Sequence, residues 1–119
     1  MEDVSSSALA YLGDAVIELE VRRLLVGKKV KNPSDEALRF VTAAAQSDAL
    51  SKIEPVLTEE ETDVFKRARN NYHTSNVPKS ATSVQYRRST GFEAVFGYLY
   101  LKEDKERIKY LFKTAFGLE

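Results

Sequence analysis

Two carboxylates stand in apolar surroundings, each close to a glycine. Glu93 lies in Gly-Phe-Glu-Ala-Val-Phe-Gly-Tyr-Leu-Tyr-Leu (91–101), with Gly97 one helical turn on, and Asp14 lies in Tyr-Leu-Gly-Asp-Ala-Val (11–16), directly after Gly13. An unpaired charge in an apolar interior is too costly to keep, so each acid needs a partner. Glycine lets another backbone approach, so two such helices could cross closely with their carboxylates converging. Oxygen-only convergence suits a hard divalent cation such as Mg²⁺ or Mn²⁺. The alternative is a private ion pair for each acid with Arg22, Arg23, Arg87 or Arg88, and spacing alone leaves both readings open.

The elements that must position these acids are helical. Phe92, Val95, Phe96 and Leu99 recur at i, i+3, i+4 and i+7. With Ala94, Tyr98 and Leu101 on the neighbouring faces, they predict a buried helix beginning near 88–90. The first helix is expected from a cap at Ser5–Ser7 to about Val26, with the stripe Leu9, Leu12, Val16 and Leu19, and Gly27 as its stop. Asn32-Pro33 with Asp35 and Glu36 opens a second helix, ending near Gln46. A short third helix, about Ser47–Ile53, stops before Pro55. Thr58 with Glu61 forms a capping box for a fourth, to about Asn70, and a last one runs near Asp104–Phe116 before Gly117. Between them, 72–86 reads as a long polar connection holding His73, the single histidine, taken as a surface residue. The expectation is an all-α fold of five to six or more helices, without β-period segments or internal repeats.

At 119 residues the chain is expected to be one domain. It has 43% hydrophobic and 30% charged residues and no apolar run near the roughly 20 residues of a membrane span. No secretory leader is evident, and the lack of cysteine excludes disulfides and thiolate metal sites, so a cytoplasmic location is expected. Net charge is zero, yet residues 64–92 contain no acid while holding Lys66, Arg67, Arg69, Lys79, Arg87 and Arg88. That segregation implies one positive face.

Tyr11-Leu12-Gly13-Asp14-Ala15 resembles the signature of the ribonuclease III catalytic domain, and 92–101 resembles that family's second acidic motif. Ala8–Tyr11, Lys66–Asn70, Val77-Pro78-Lys79 and Tyr86–Thr90 make the chain most similar to Mini-ribonuclease III, the bacterial form without a double-stranded-RNA-binding domain. The resemblance implies a single catalytic domain over 1–119 that hydrolyses phosphodiester bonds in double-stranded RNA. It further implies Asp14 and Glu93 as catalytic metal ligands, Mg²⁺ (or Mn²⁺) as cofactor, a homodimer, and ribosomal RNA precursors as substrate. The chain departs from full-length relatives in having Ala10 and Thr90 where they carry further acids, so water and phosphate oxygens must complete the metal's shell. Without an accessory domain the grip on RNA is expected from Arg67, Arg69, Lys79, Arg87 and Arg88 with the 72–86 connection. A catalytically silent RNA- or ribosome-binding relative is the alternative, although it would need neither acid.

Overall fold

A computed structural model describes residues 4–71 and 82–118. They form six α-helices: α1 (Ser6–Lys28), α2 (Pro33–Val41), α3 (Ala43–Ile53), α4 (Glu59–Asn70), α5 (Ser83–Leu101) and α6 (Lys105–Phe116), with a 3-10 turn at Glu54–Val56. No strand occurs among the described residues. α5 is the central element, touching α1, α3, α4 and α6. Phe92, Ala94, Val95 and Phe96 are wholly buried and Leu99 nearly so, the apolar wrap expected of a core helix. They meet Ile17, Val21 and Leu25 of α1, Leu50 and Ile53 of α3, and Leu111 of α6. A phenylalanine cluster continues the core toward α6, with Phe40 and Phe116 centroids 4.9 Å apart and Phe112 and Phe116 5.1 Å apart.

α1 and α5 pack antiparallel at van der Waals limits. A Cβ at Gly13 would overlap the Glu93 carbonyl and approach the Gly97 nitrogen at 2.9 Å, and one at Gly97 would overlap the Leu9 carbonyl and lie 3.0 Å from the Gly13 nitrogen. Backbone therefore lies on backbone, which only glycine permits. Small residues extend this approach to a third helix, since Ala10, Ala68 and Ala94 form a cluster with Leu9 where α1, α4 and α5 meet.

Several boundaries differ from expectation, each for a local reason. α5 begins at Ser83 rather than near 88–90. Thr82 Oγ1 accepts from the Gln85 N–H at 3.0 Å and Gln85 Oε1 accepts from the Thr82 N–H at 3.1 Å, a capping box inside what reads as polar connection. The break between the second and third helices falls at Thr42 and not at 46–47, because the Thr42 hydroxyl caps α3 by accepting from Ala45 at 3.1 Å. α1 continues through Gly27, and Lys29 takes the left-handed position at φ 55°. Leu101 is exposed rather than core.

A buried carboxylate joins three segments. Glu61 accepts from the Thr58 N–H at 2.9 Å and from Arg107 Nε and Nη2 at 2.9 and 2.8 Å, while Arg107 Nη2 also donates to the Val56 carbonyl at 2.7 Å. Burial pushes the Glu61 carboxyl up, but the Arg107 fork and the Thr58 amide outweigh it and hold the group below its ordinary value.

Gly97→Ala is expected to destabilise the fold by roughly 3 kcal/mol or more, because the clash is with helix backbone and cannot relax by a rotamer change; thermal or urea unfolding checks this. Arg107→Ala is expected to cost about 3 kcal/mol by stranding the Glu61 charge. Because folding lowers the Glu61 pKa, its stabilisation is present above the unfolded carboxylate value and is lost as pH falls through the folded one. The variant's deficit should therefore shrink in acid.

Candidate functional site

The α1–α5 crossing sets the site. Gly13 stacks on the backbone of Glu93, so the residue that follows it, Asp14, stands beside the Glu93 side chain. Asp14 is exposed and Glu93 half-buried, so the pair lies at the surface end of the crossing. Glu93's carboxyl is pushed up to about 8, first by burial, then by the neighbouring Asp14 charge, then by a hydrogen bond to Asp14. At neutral pH without a cation, Glu93 therefore keeps its proton, hydrogen-bonded to Asp14.

Among the described residues no ion pair joins Asp14 or Glu93 to an arginine. Arg22 pairs with Glu18 at 3.6 Å, Arg23 with Glu20 at 3.5 Å and Arg88 with Glu54 at 3.0 Å. Glu18 is thereby an ion-paired helix residue rather than a third member of the site. No group of three or more His, Cys, Asp or Glu suited to a metal occurs among the described residues. Two converging acids, neither paired with a cation among the described residues and one open to solvent, nevertheless fit Mg²⁺, which keeps several waters and needs only one or two protein carboxylates.

The cations expected on the RNA face are differently placed. Arg67 is exposed and Arg69 half-buried in the last turn of α4, where Ala68 packs on Leu9, Ala10 and Ala94 next to the acid pair. Asn71 ties this end of α4 to α1, its Nδ2 donating to Ser7 Oγ at 3.3 Å. Arg69 lies over the Phe65 ring at 5.3 Å. Arg87 is half-buried on α5, its Nε donating to the Ser83 carbonyl at 3.4 Å. Arg88 is engaged on α3: Nε donates to Ser47 Oγ at 2.9 Å, and Nη2 reaches the Ser47 carbonyl at 3.1 Å, Ser51 Oγ at 2.8 Å and Glu54. Sequence reasoning missed this anchoring role, and serines one turn apart on α3 were the faint signal for it. Lys79 and His73 lie outside the described residues.

Comparison with known proteins identifies the family of the chain. The family model for the ribonuclease III domain matches residues 7–104. The chain is 46% identical over 114 residues to a protein of Streptococcus pneumoniae named Mini-ribonuclease 3, covering 91% of this chain and 88% of that one. A protein of the same name from Symbiobacterium thermophilum is 44% identical, covering 90% and 84%. A crystal structure of a Fusobacterium nucleatum protein superposes with a TM-score of 0.85 at 34% identity, covering 93% of this chain and 90% of that one.

The raised Glu93 pKa has a thermodynamic signature. Between the ordinary carboxylate value near 4.5 and about 8, the folded chain holds a proton that the unfolded chain has lost. Stability without metal should therefore fall as pH rises through that window, by up to roughly a few kcal/mol. Glu93→Gln should flatten the slope, and Mg²⁺ should restore stability most at the alkaline end. Melting temperature against pH, with Mg²⁺ and with EDTA, reads all three.

Proposed function

Because the chain belongs to the ribonuclease III domain family, we propose that it is a divalent-metal-dependent endoribonuclease that cuts double-stranded RNA, with precursors of ribosomal RNA as its substrates. The observation that carries this reading is the convergence of Asp14 and Glu93 across a crossing that holds their backbones rigidly. Asp14 and Glu93 would hold Mg²⁺, or Mn²⁺ in its place. When bound, such an ion supplies charge neutralisation at a phosphodiester and an acidified water. Glu93 would have to give up its proton to serve as a ligand, and Asp14, exposed, would be the more open of the two to solvent and substrate.

The grip on the duplex would come from Arg67, Arg69 and Arg87, with Lys79 and Arg88 contributing charge to the same stretch. Their support is position: α4 ends against α1 and α5 next to the acids. Arg88's donors are largely taken by α3, so its share would be through the field rather than direct bonds.

A homodimer is supported by one face of α1. Tyr11, Leu19 and Val26 are 84%, 59% and 77% exposed along one stripe, with Ala15 between the first two, Arg22, paired to Glu18, between the last two, and Asp14 at its margin. Apolar groups in such a row mark an interaction surface. Two copies joined along it would bring two acid pairs near one another, one for each strand. No helix among the described residues is long and apolar enough to cross a membrane, and a cytoplasmic location is proposed with the rest.

The deciding experiment is cleavage of a long, fully paired RNA by purified protein with Mg²⁺ and with EDTA, beside Asp14→Asn and Glu93→Gln. Defined products are expected only from the wild type with metal. Binding of the duplex without any cutting, with Mn²⁺ also tried, would instead indicate an RNA-binding module. Each of Arg67→Ala and Arg69→Ala should lower the slope of log affinity against log salt by about one. Tyr11→Glu with Val26→Glu should yield a monomer in sedimentation.

A further inference from the structure

The charge pattern of the sequence concentrates attention on 64–92, but the fold assembles a second cationic region from distant segments. A groove of about 650 Å³ runs between the C-terminal half of α1 and α6. Its rim carries Arg23, Lys28, Lys109 and Lys113 against one acid, Glu20, which pairs with Arg23 at 3.5 Å. Lys28, Lys109 and Lys113 are exposed and take part in no ion pair among the described residues. The floor is apolar, formed by Leu24, Phe112 and Leu118. At Lys28 and Leu118 it meets a second hollow of about 400 Å³, which adds Arg39 and Lys52 opposite Asp48. Together the two make a channel across one end of the molecule, lined by six basic side chains and two acidic ones, with Arg39 also paired to Glu36 at 3.4 Å, so the cations remain in excess.

Helix-end charge explains part of this. Lys28 and Lys113 sit in the last turns of α1 and α6, where cations offset the macrodipole. Lys109 sits mid-helix and has no such explanation, and it adds to the same rim.

The channel is distinct from the acid pair. Lys28 lies fourteen residues beyond Asp14 on the same helix, about 21 Å at 1.5 Å per residue. Glu20, Leu24 and Lys28 lie round the far side of α1 from Tyr11, Leu19 and Val26, with Arg23 bordering the stripe one turn from Leu19, so a dimer formed on that stripe leaves most of the channel open.

We propose that this channel docks an acidic segment of a partner protein, one that carries apolar anchor residues among its carboxylates. Charge complementarity sets the sign of the occupant, and the apolar floor sets its kind. Duplex RNA offers phosphates and 2′-hydroxyls, which gain nothing from leucine and phenylalanine. Single-stranded RNA needs exposed ring faces for stacking, whereas Phe112 and Phe40 are 4% and 5% exposed and the half-buried Phe116 packs its ring on both, at 5.1 and 4.9 Å. An amphipathic acidic peptide uses both, its anchors on Leu24 and Leu118 and its carboxylates on the lysine rim.

The test uses a fluorescently labelled peptide in which two leucines one helical turn apart are flanked by glutamates, titrated onto the whole chain with anisotropy as readout. Saturable binding is expected, weakening with salt and falling about tenfold for the Lys109→Glu, Lys113→Glu double variant. Peptides with serine for leucine should bind about tenfold more weakly, and NMR shift changes should centre on Leu24 and Leu118. Both lysines are exposed, and an unchanged melting temperature and unchanged duplex cleavage would show that the variant is folded and its acid pair intact. Absence of saturable binding overturns the proposal, as does binding indifferent to the leucines. Displacement of the peptide by duplex RNA, or a loss of duplex affinity in the double variant equal to that of Arg67→Ala, also overturns it and assigns the channel to nucleic acid.

Discussion

Everything in this fold is referred to the place where α1 and α5 touch backbone to backbone. Side chains normally hold helix axes 8–10 Å apart. Gly13 and Gly97 remove that spacer, each facing main-chain atoms of the other helix. The close approach determines which residues emerge at the edge of the contact, and they are Asp14 and Glu93. It also forces small residues onto the third helix, so Ala68 of α4 meets Ala10 and Ala94, drawing the basic end of α4 to the same edge. The acids and the cations are thus neighbours for one steric reason.

That arrangement is electrostatically uncomfortable, which is what gives it a use. Most buried or half-buried charges in the chain are satisfied: Glu61 by Arg107 and the Thr58 amide, Arg88 by two serines and Glu54. Glu93 has another carboxylate for company and keeps a proton well above its usual range. A fold that supplies forks of hydrogen bonds elsewhere withholds one here, which is what the proposed cation site would require.

The readable parts of the sequence were those governed by local chemistry. The Thr58–Glu61 box, the Asp104 cap, the Gly117 stop and the apolar wrap of 92–99 all follow from spacing and side-chain type. Both acids could be singled out because each sits in apolar sequence beside glycine, and the glycine crossing is as expected. Less legible was anything decided by competition between neighbouring signals. Thr42 could end one helix or begin the next and does both, and Thr82 with Gln85 begins α5 inside polar sequence. Arg88 looked like its neighbour Arg87, and only the placement of α3 separates their roles. The lysines along α1 and α6 are eighty residues apart in sequence and carry no joint signal until the helices pack.

α1 acts as a measuring rod. Its 23 residues are unbroken by proline, and Gly27 does not interrupt it. Along this one rigid element lie the glycine of the crossing, the acid beside it, the exposed apolar row and the start of the cationic channel. Their spacing and relative azimuth are fixed by helical rise and twist. Loops can lengthen or shorten elsewhere without disturbing that geometry. A single residue inserted between Asp14 and Lys28 would turn everything beyond it by about 100°, placing Val26 toward the interior and core leucines in water. Divergence within this helix is therefore confined to exchange of side chains, while changes of length are restricted to the joints on either side.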